Sequence, residues 1–205
     1  MVLVLVIGDS HIPLRAAAIP EAFRQLFTPD RIQAVFITGN MCSVNTLNYY
    51  RTLASEVYVT RGNYDQDAGF DKCPEQVKVE LEGVRIGMVH GHQVVPLGDK
   101  ESLGVVQREM DVDLLISGAT HVAKVHEFGG KLFVNPGSIT GAFRGATDDI
   151  VPSFVLLDVK GKQVTVFTYT YVEEEEGANA EAPAPESEDH DRRLRIKKKQ
   201  WSVES

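Results

Sequence analysis

A chain of 205 residues is long enough to bury one well-formed core, or two very small ones. Its apolar content of 43% is ordinary for a globular protein. A formal net charge of −8 excludes general nucleic-acid binding, which needs a basic footprint.

Taken in chain order, the first segments alternate strand and helix. Residues 2–8 form a continuous apolar run, the pattern of a strand buried on both faces. The run is short, has no basic flank and leads into GDSH rather than a cleavage site, so it is read as a strand and not a signal peptide. Residues 20–27 carry Phe23, Leu26 and Phe27 at helical spacing, with Pro20 suited to a first turn. A strand follows over 32–38. Ser43 is a good N-cap for a helix carrying Val44, Leu47, Tyr50 and Leu53. A third strand is expected over 57–60. This order implies a parallel sheet with helices outside.

The pattern then changes. QVKVELEGVRIGMVHGH alternates apolar and polar residues around Glu82-Gly83, as a hairpin does. Residues 99–110 read as a helix capped by Asp99. Further strands are expected at 114–117, 124–128, 132–135, 154–159 and 164–171, with Gly129-Gly130 and Lys160-Gly161 as turns. Two β-rich halves with outer helices give a four-layer αββα sandwich, two mixed sheets flanked by helices, over residues 1–172.

The C-terminal part is polarised. Residues 173–191 hold nine acids and no Lys or Arg, in an Ala- and Pro-rich context that cannot build a core. Residues 192–199 hold six bases. RRLRIKKKQW (192–201) alternates, with Leu194 and Ile196 on one face. It is either a final basic strand at a sheet edge, which makes 173–191 an insertion into one domain, or part of a disordered tail that ends at 202–205. Cys42 and Cys73 are too few for a disulfide scaffold, and no apolar run approaches the ~20 residues of a membrane span. The expectation is a soluble cytoplasmic protein with reduced thiols.

Five strands end in residues of metal-ligand type: Asp9 and His11, then Asn40, Asn63, His90 and His121. Ligands bind at strand ends in α/β sheets. An Asp-x-His alone is usually a cap and a surface imidazole. Five such ends in succession are hard to assign to chance. This order resembles the calcineurin-like metallophosphoesterases, whose pattern is Asp-x-His, Gly-Asp, Gly-Asn-His-Asp/Glu, His-Gly and Gly-His-x-His. The resemblance implies two-metal hydrolysis, with two cations about 4 Å apart and a bridging hydroxide as nucleophile. It would place Asp9, His11 and His121 on the first metal, and Asn63 and His90 on the second.

Three positions depart from that pattern. Asn40 stands where the bridging carboxylate belongs. Ala119 stands where the second metal's other histidine belongs. Tyr64 stands where the catalytic histidine belongs, and phenols titrate only near pH 10. Asp9 is then the single acid for two dications, and a stable two-metal centre is not expected.

GDSHIP, TGNMCS, RGNYDQ, MVHGHQVVPLGD, VNPGSITGA and VPSFVLLD narrow the resemblance to the phosphoesterase-fold subunits of retromer, the endosomal cargo-recycling coat. Asn40 and a non-histidine at position 64 suit that branch. Asn63 follows the enzymes instead, and Ala119 departs from both. The resemblance implies a non-catalytic scaffold peripheral on endosomal membranes. It needs no cofactor, though one weakly bound divalent metal, Zn or Mn, is compatible with it. It implies a helical-solenoid retromer subunit docked on the metal-site face near Val94, Val95 and Leu97. Regulators of endosomal GTPases would dock on an apolar patch at Leu3, Leu156, Phe167 and Tyr169, positions that equally suit ordinary strand packing.

Two rival readings stand beside this one. An active metal-dependent phosphodiesterase or phosphatase is opposed by Asn40, Tyr64 and Ala119. A lipid- or phosphate-binding module using residues 192–199 is weakened by the adjoining acids. Among the other candidates, His92 reads as bonding its own turn, His126 as surface, and Asp65 as orienting the turn of residues 61–64.

Overall fold

The computed structural model of the chain describes residues 1–145, 149–173 and 192–203. In chain order its elements are β1 (Val2–Ile7), α1 (Glu21–Arg24), β2 (Ala34–Ile37), α2 (Val44–Arg51), β3 (Glu56–Val59), β4 (Gln76–Leu81), β5 (Val84–Val89), α3 (Lys100–Met110), β6 (Leu114–Ser117), β7 (Ala123–Phe128), β8 (Lys131–Pro136), β9 (Ser153–Lys160), β10 (Gln163–Glu173) and β11 (Arg192–Ser202). They form two mixed sheets, ordered β11-β10-β9-β1-β2-β3 and β4-β5-β6-β8-β7.

Alternation within the strands builds the layers. Val4 and Val6 of β1 and Phe36 of β2 face the opposite sheet, meeting Ile86, Met88, Leu114, Ile116 and Val134. Leu5, Ile7, Val35 and Ile37 face the other way, onto Phe23 of α1 and Leu47 and Tyr50 of α2. On the far side of the second sheet, Val89, Leu115 and Phe133 pack against Leu103 and Met110 of α3. Strands buried on both faces explain why β1 and β2 read as unbroken apolar runs.

The helices differ in how well their sequence marks them. Ser43 caps α2 by accepting from the Asn45 amide at 3.2 Å, and Asp99 caps α3 by accepting from Glu101 and Ser102. The helix expected over 20–27 is only the single turn α1. Pro20 sits just before that turn, at φ −50° and ψ 132°, and not within it. No side chain caps α1, so it persists through burial of Phe23 against Phe154 and Tyr171.

The alternating segment 192–201 is a strand: Arg192 pairs with Glu173 and Ser202 with Gln163, so a wholly disordered tail is ruled out for it. Of the expected acidic insertion at 173–191, residues 174–191 lie outside the described residues, as do 204–205 of the tail. Among the described residues no helix is long and apolar enough to cross a membrane. Both cysteines are free.

Candidate functional site

β1, β2 and β3 are parallel neighbours in one sheet, and β5 and β6 in the other. Their C-terminal ends therefore open at one edge of the sandwich, and the loops that follow carry Asp9 and His11, Asn40, Asn63, His90, and His121. All six predicted residues are brought together there. Asp9, His11, His90 and His121 are buried, and Asn40 is 2% exposed.

The loops are tightly wound. Asp9, His11, Asn40, Cys42, Ala119 and His121 have φ between 47° and 64°, the left-handed region that side chains disfavour. Strain of this kind persists only where the surroundings enforce it, and it concentrates at functional sites. Asp65 supplies much of the enforcement. Its carboxylate accepts from the backbone amides of Asn40 at 2.8 Å, Gly62 at 2.8 Å and Cys42 at 2.9 Å. The expected role in the turn of residues 61–64 is one of three contacts, and the other two lie on a different loop. At Gly62 a Cβ would collide with Asn40 Oδ1.

One half of the cluster is Asp9, His11 and His121, whose donor atoms all lie within 4.8 Å of one another. Asp9 Oδ2 accepts from the Ala119 amide at 2.8 Å, which turns Oδ1 towards the histidines. His121 Nδ1 donates to the Ala142 carbonyl at 2.6 Å, and its Nε2 faces His11 Nε2 at 3.2 Å. Burial lowers the His11 pKa to about 4, against the opposing pull of Asp9.

The other half is Asn40, Asn63 and His90. Asn40 Oδ1 accepts from the Tyr64 amide at 2.9 Å, which fixes the orientation of the side-chain amide. Its NH2 group therefore points inward, at Asp9 Oδ1 (3.0 Å), His90 Nε2 (3.0 Å) and Asn63 Oδ1 (3.3 Å). His90 Nδ1 donates to the Thr38 carbonyl at 2.7 Å, which leaves Nε2 as an acceptor. Ala119 lines the same cleft as Asn40 and Asn63 and offers no side-chain donor atom.

Beside the cluster opens a cleft of about 740 Å³, lined in part by Arg15, Tyr64, His92, Val95, Leu97 and Arg144. Tyr64 is 39% exposed, and the Arg15 guanidinium stacks over its ring at 4.4 Å and over Phe143 at 4.9 Å. Arg15, Phe143 and Arg144 went unread in the sequence, since an isolated Arg or Phe in a loop carries no signal. The Thr38 and Ala142 carbonyls that orient the histidines carry none either.

Several candidate residues are placed otherwise than expected. Val94 is 4% exposed and packs with Val89, Leu103 and Phe133, while also lining the cleft. Val95 is 81% exposed and Leu97 half-buried. Leu3, Leu156, Phe167 and Tyr169 are half-buried on one outer face of the six-stranded sheet, Tyr169 stacked on Phe154 at 4.6 Å. Gln93, not His92, closes the turn, accepting from the Gly91 amide at 3.1 Å. The His92 ring lies 5.2 Å from that of His90. His126 is not a surface residue; it stacks on Phe133 at 5.1 Å and both its ring nitrogens are buried.

The family model for the calcineurin-like phosphoesterase superfamily domain matches residues 2–162. Vacuolar protein sorting-associated protein 29 (Vps29) of Schizosaccharomyces pombe is 42% identical over 169 residues, 80% of this chain and 89% of that protein. The chain belongs to the Vps29 family of calcineurin-like phosphoesterases. Vps29 structures superpose closely on it. That of Chaetomium thermophilum is 32% identical, with a TM-score of 0.85 over 99% of this chain and 98% of that one. That of Entamoeba histolytica, solved with zinc, is 40% identical, with a TM-score of 0.79 over 98% and 99%. The family assignment and the αββα sandwich read from the sequence therefore agree with relatives and fold alike.

Proposed function

We propose that this chain is the phosphoesterase-fold scaffold subunit of a retromer-type coat on endosomal membranes, and that it does not hydrolyse phosphoesters. The observation that carries the non-catalytic part is the Asn40 side-chain NH2 directed at Asp9, Asn63 and His90. A second cation would need Asn63 Oδ1 and His90 Nε2, two of those same atoms. An amide donor in its place meets all three with its two N–H groups, one shared between two acceptors, and no ion. The remaining half fits one divalent ion, Zn or Mn, held by Asp9 and the Nε2 atoms of His11 and His121, a carboxylate–imidazole donor set that suits either metal. The E. histolytica Vps29 solved with zinc supports that fit. A single ion can polarise a phosphate oxygen, but without the second there is no bridging hydroxide for in-line attack.

The cleft-side surface is the docking face for the helical-solenoid subunit, with Val95 and Leu97 as apolar anchors. The outer-sheet patch of Leu3, Leu156, Phe167 and Tyr169 is the face for regulators of endosomal GTPases. Support for docking comes from the Vps29 relatives and from the exposure of Val95 beside a cleft whose catalytic parts are missing.

Two measurements test this reading. Hydrolysis of bis-(p-nitrophenyl) phosphate with excess Mn²⁺ is expected to stay at the level of an Asp9→Ala blank. Metal-dependent turnover above that blank would make the chain an enzyme. Leu97→Asp would set an unpaired charge in an apolar contact and is expected to abolish capture of the recombinant solenoid subunit. Full retention would remove this face as the docking surface.

A further inference from the structure

The three buried site histidines are held differently. His90 and His121 each donate Nδ1–H to a backbone carbonyl, at 2.7 Å and 2.6 Å. A carbonyl only accepts, so in the neutral form both rings carry the proton on Nδ1 and leave Nε2 bare. The only partner of His11 Nδ1 among the described residues is the Cys42 thiol, 3.8 Å away. A thiol both donates and accepts, weakly in each direction.

The distances dictate which tautomer His11 takes. His121 Nε2 is an acceptor, because its proton is on Nδ1. It lies 3.2 Å from His11 Nε2, so a neutral His11 must carry its proton on Nε2 to make that bond. His11 Nδ1 is then bare and accepts from the Cys42 S–H. Metal ligation through Nε2 demands the opposite tautomer: the proton leaves Nε2 and one is taken up at Nδ1, with no net change in the ring's charge. Nδ1–H then needs an acceptor, and the Cys42 sulfur is in place to accept.

We infer that Cys42 is a positioning residue that lets His11 change tautomer when an ion binds at Asp9, His11 and His121. Its thiol is S–H donor to the ring before binding and sulfur acceptor from the ring after it. The left-handed backbone at Cys42 (φ 63°) and the bond from its amide to Asp65 at 2.9 Å hold the sulfur against the ring. A backbone carbonyl in this position could serve only the ion-bound form. The inference rests on the single-ion reading above.

The test has two readouts. Nitrogen-15 NMR of the metal-free protein is expected to show His11 protonated at Nε2, with His90 and His121 protonated at Nδ1. Calorimetric titration with Zn²⁺ is expected to give at least tenfold weaker binding for Cys42→Ala, the usual scale for losing such an outer partner. Cys42→Ser, whose hydroxyl also donates and accepts, is expected to stay within about threefold of wild type by the same principle. Cys73→Ala controls for loss of a thiol elsewhere. His11 protonated at Nδ1 in the metal-free protein overturns the inference, as does Cys42→Ala binding like wild type. Wild type that binds no Zn²⁺ sinks the single-ion reading instead, and the NMR result still decides whether the thiol bonds the ring. Thermal melting of Cys42→Ala with unchanged His90 and His121 signals shows that the variant is folded.

Discussion

The two halves of the buried cluster use similar residues and reach opposite states. Asp9, His11 and His121 bring their ligand atoms within 4.8 Å of one another, the two rings joined by one Nε2–Nε2 hydrogen bond of 3.2 Å. Asn40, Asn63 and His90 converge as well, but on an amide NH2 that satisfies them. Asn40 Nδ2 also reaches Asp9 Oδ1 at 3.0 Å, so the filled half hydrogen-bonds the open one. In the proposed reading, a neutral donor takes up the contacts of an absent ion, so the site stays packed without it. A substitution that removed the carboxylate and left a cavity would have cost the buried acceptors their partners.

The largest effect should come from the group on which both halves depend. Asp65→Ala leaves three amides without acceptors, the buried ones of Asn40 and Gly62 and the partly buried one of Cys42. At about 1–3 kcal/mol each, the loss is about 4 kcal/mol, or about 12 °C in melting temperature. Asp65→Asn, which keeps one acceptor oxygen, should recover about half of that. A melting curve for Asp65→Ala within about 3 °C of wild type would show that the loops hold without it.

Next in size is the proton balance of the open half. Burial lowers the His11 pKa to about 4, whereas the unfolded ring titrates near 6.5. Between those values the unfolded chain binds a proton that the folded chain refuses. Metal-free stability should therefore fall as pH drops from about 6.5 towards 4, by about 3 kcal/mol at most. Denaturant unfolding in EDTA at pH 7.5 and pH 5 measures it. His11→Asn, which cannot titrate, should show a smaller loss; an equal loss assigns the effect to another group.

How much of this contrast was legible in the sequence follows from where information sits in a chain. The strands announced themselves, because double-sided burial and hairpin alternation write apolar patterns of period one and two. The ligand positions were legible because each follows such a strand. The swap of Asn for a carboxylate at position 40 was visible too, but its consequence was not. That the amide presents NH2 and not oxygen to the cluster depends on the Tyr64 amide, a backbone group with no residue signature. Val94 and Val95 are identical neighbours, and only the fold separates a core residue at 4% exposure from an exposed one at 81%. The α1 turn was overextended because Leu26 and Phe27 continue its spacing while nothing caps it.

Restoring the lost carboxylate should convert the filled half into a second open one. Asn40→Asp removes the NH2 donor and sets a second carboxylate about where Asn40 Nδ2 lies, 3.0 Å from Asp9 Oδ1. In EDTA that repulsion and the lost bonds should cost about 2 kcal/mol, or about 6 °C. Saturating Mn²⁺ should return the loss, since an ion bound only by the folded state stabilises it. The binding stoichiometry should rise from one to two. A variant that melts like wild type in EDTA would show that the Asn40 NH2 contacts carry no weight.

The smallest effect concerns Ala119, which marks the filled half by what it lacks. Its φ of 64° is a left-handed conformation that costs an L-residue about 1 kcal/mol and a glycine almost nothing. Part of that gain is lost because glycine is freer in the unfolded chain. Ala119→Gly should therefore raise the melting temperature by about 2 °C, with ion binding unchanged, because the 119 amide that bonds Asp9 is kept. Ala119→His keeps the Cβ and its strain, so it should melt close to wild type while adding an imidazole beside the Asn40 amide. With Asn40 still donating into the second position, that imidazole finds a hydrogen-bond donor there and no cation. Mn²⁺ stoichiometry should stay at one and phosphodiester hydrolysis at the Asp9→Ala level. A second equivalent of Mn²⁺ bound by Ala119→His alone would show that the missing histidine, and not the amide, keeps the second ion out.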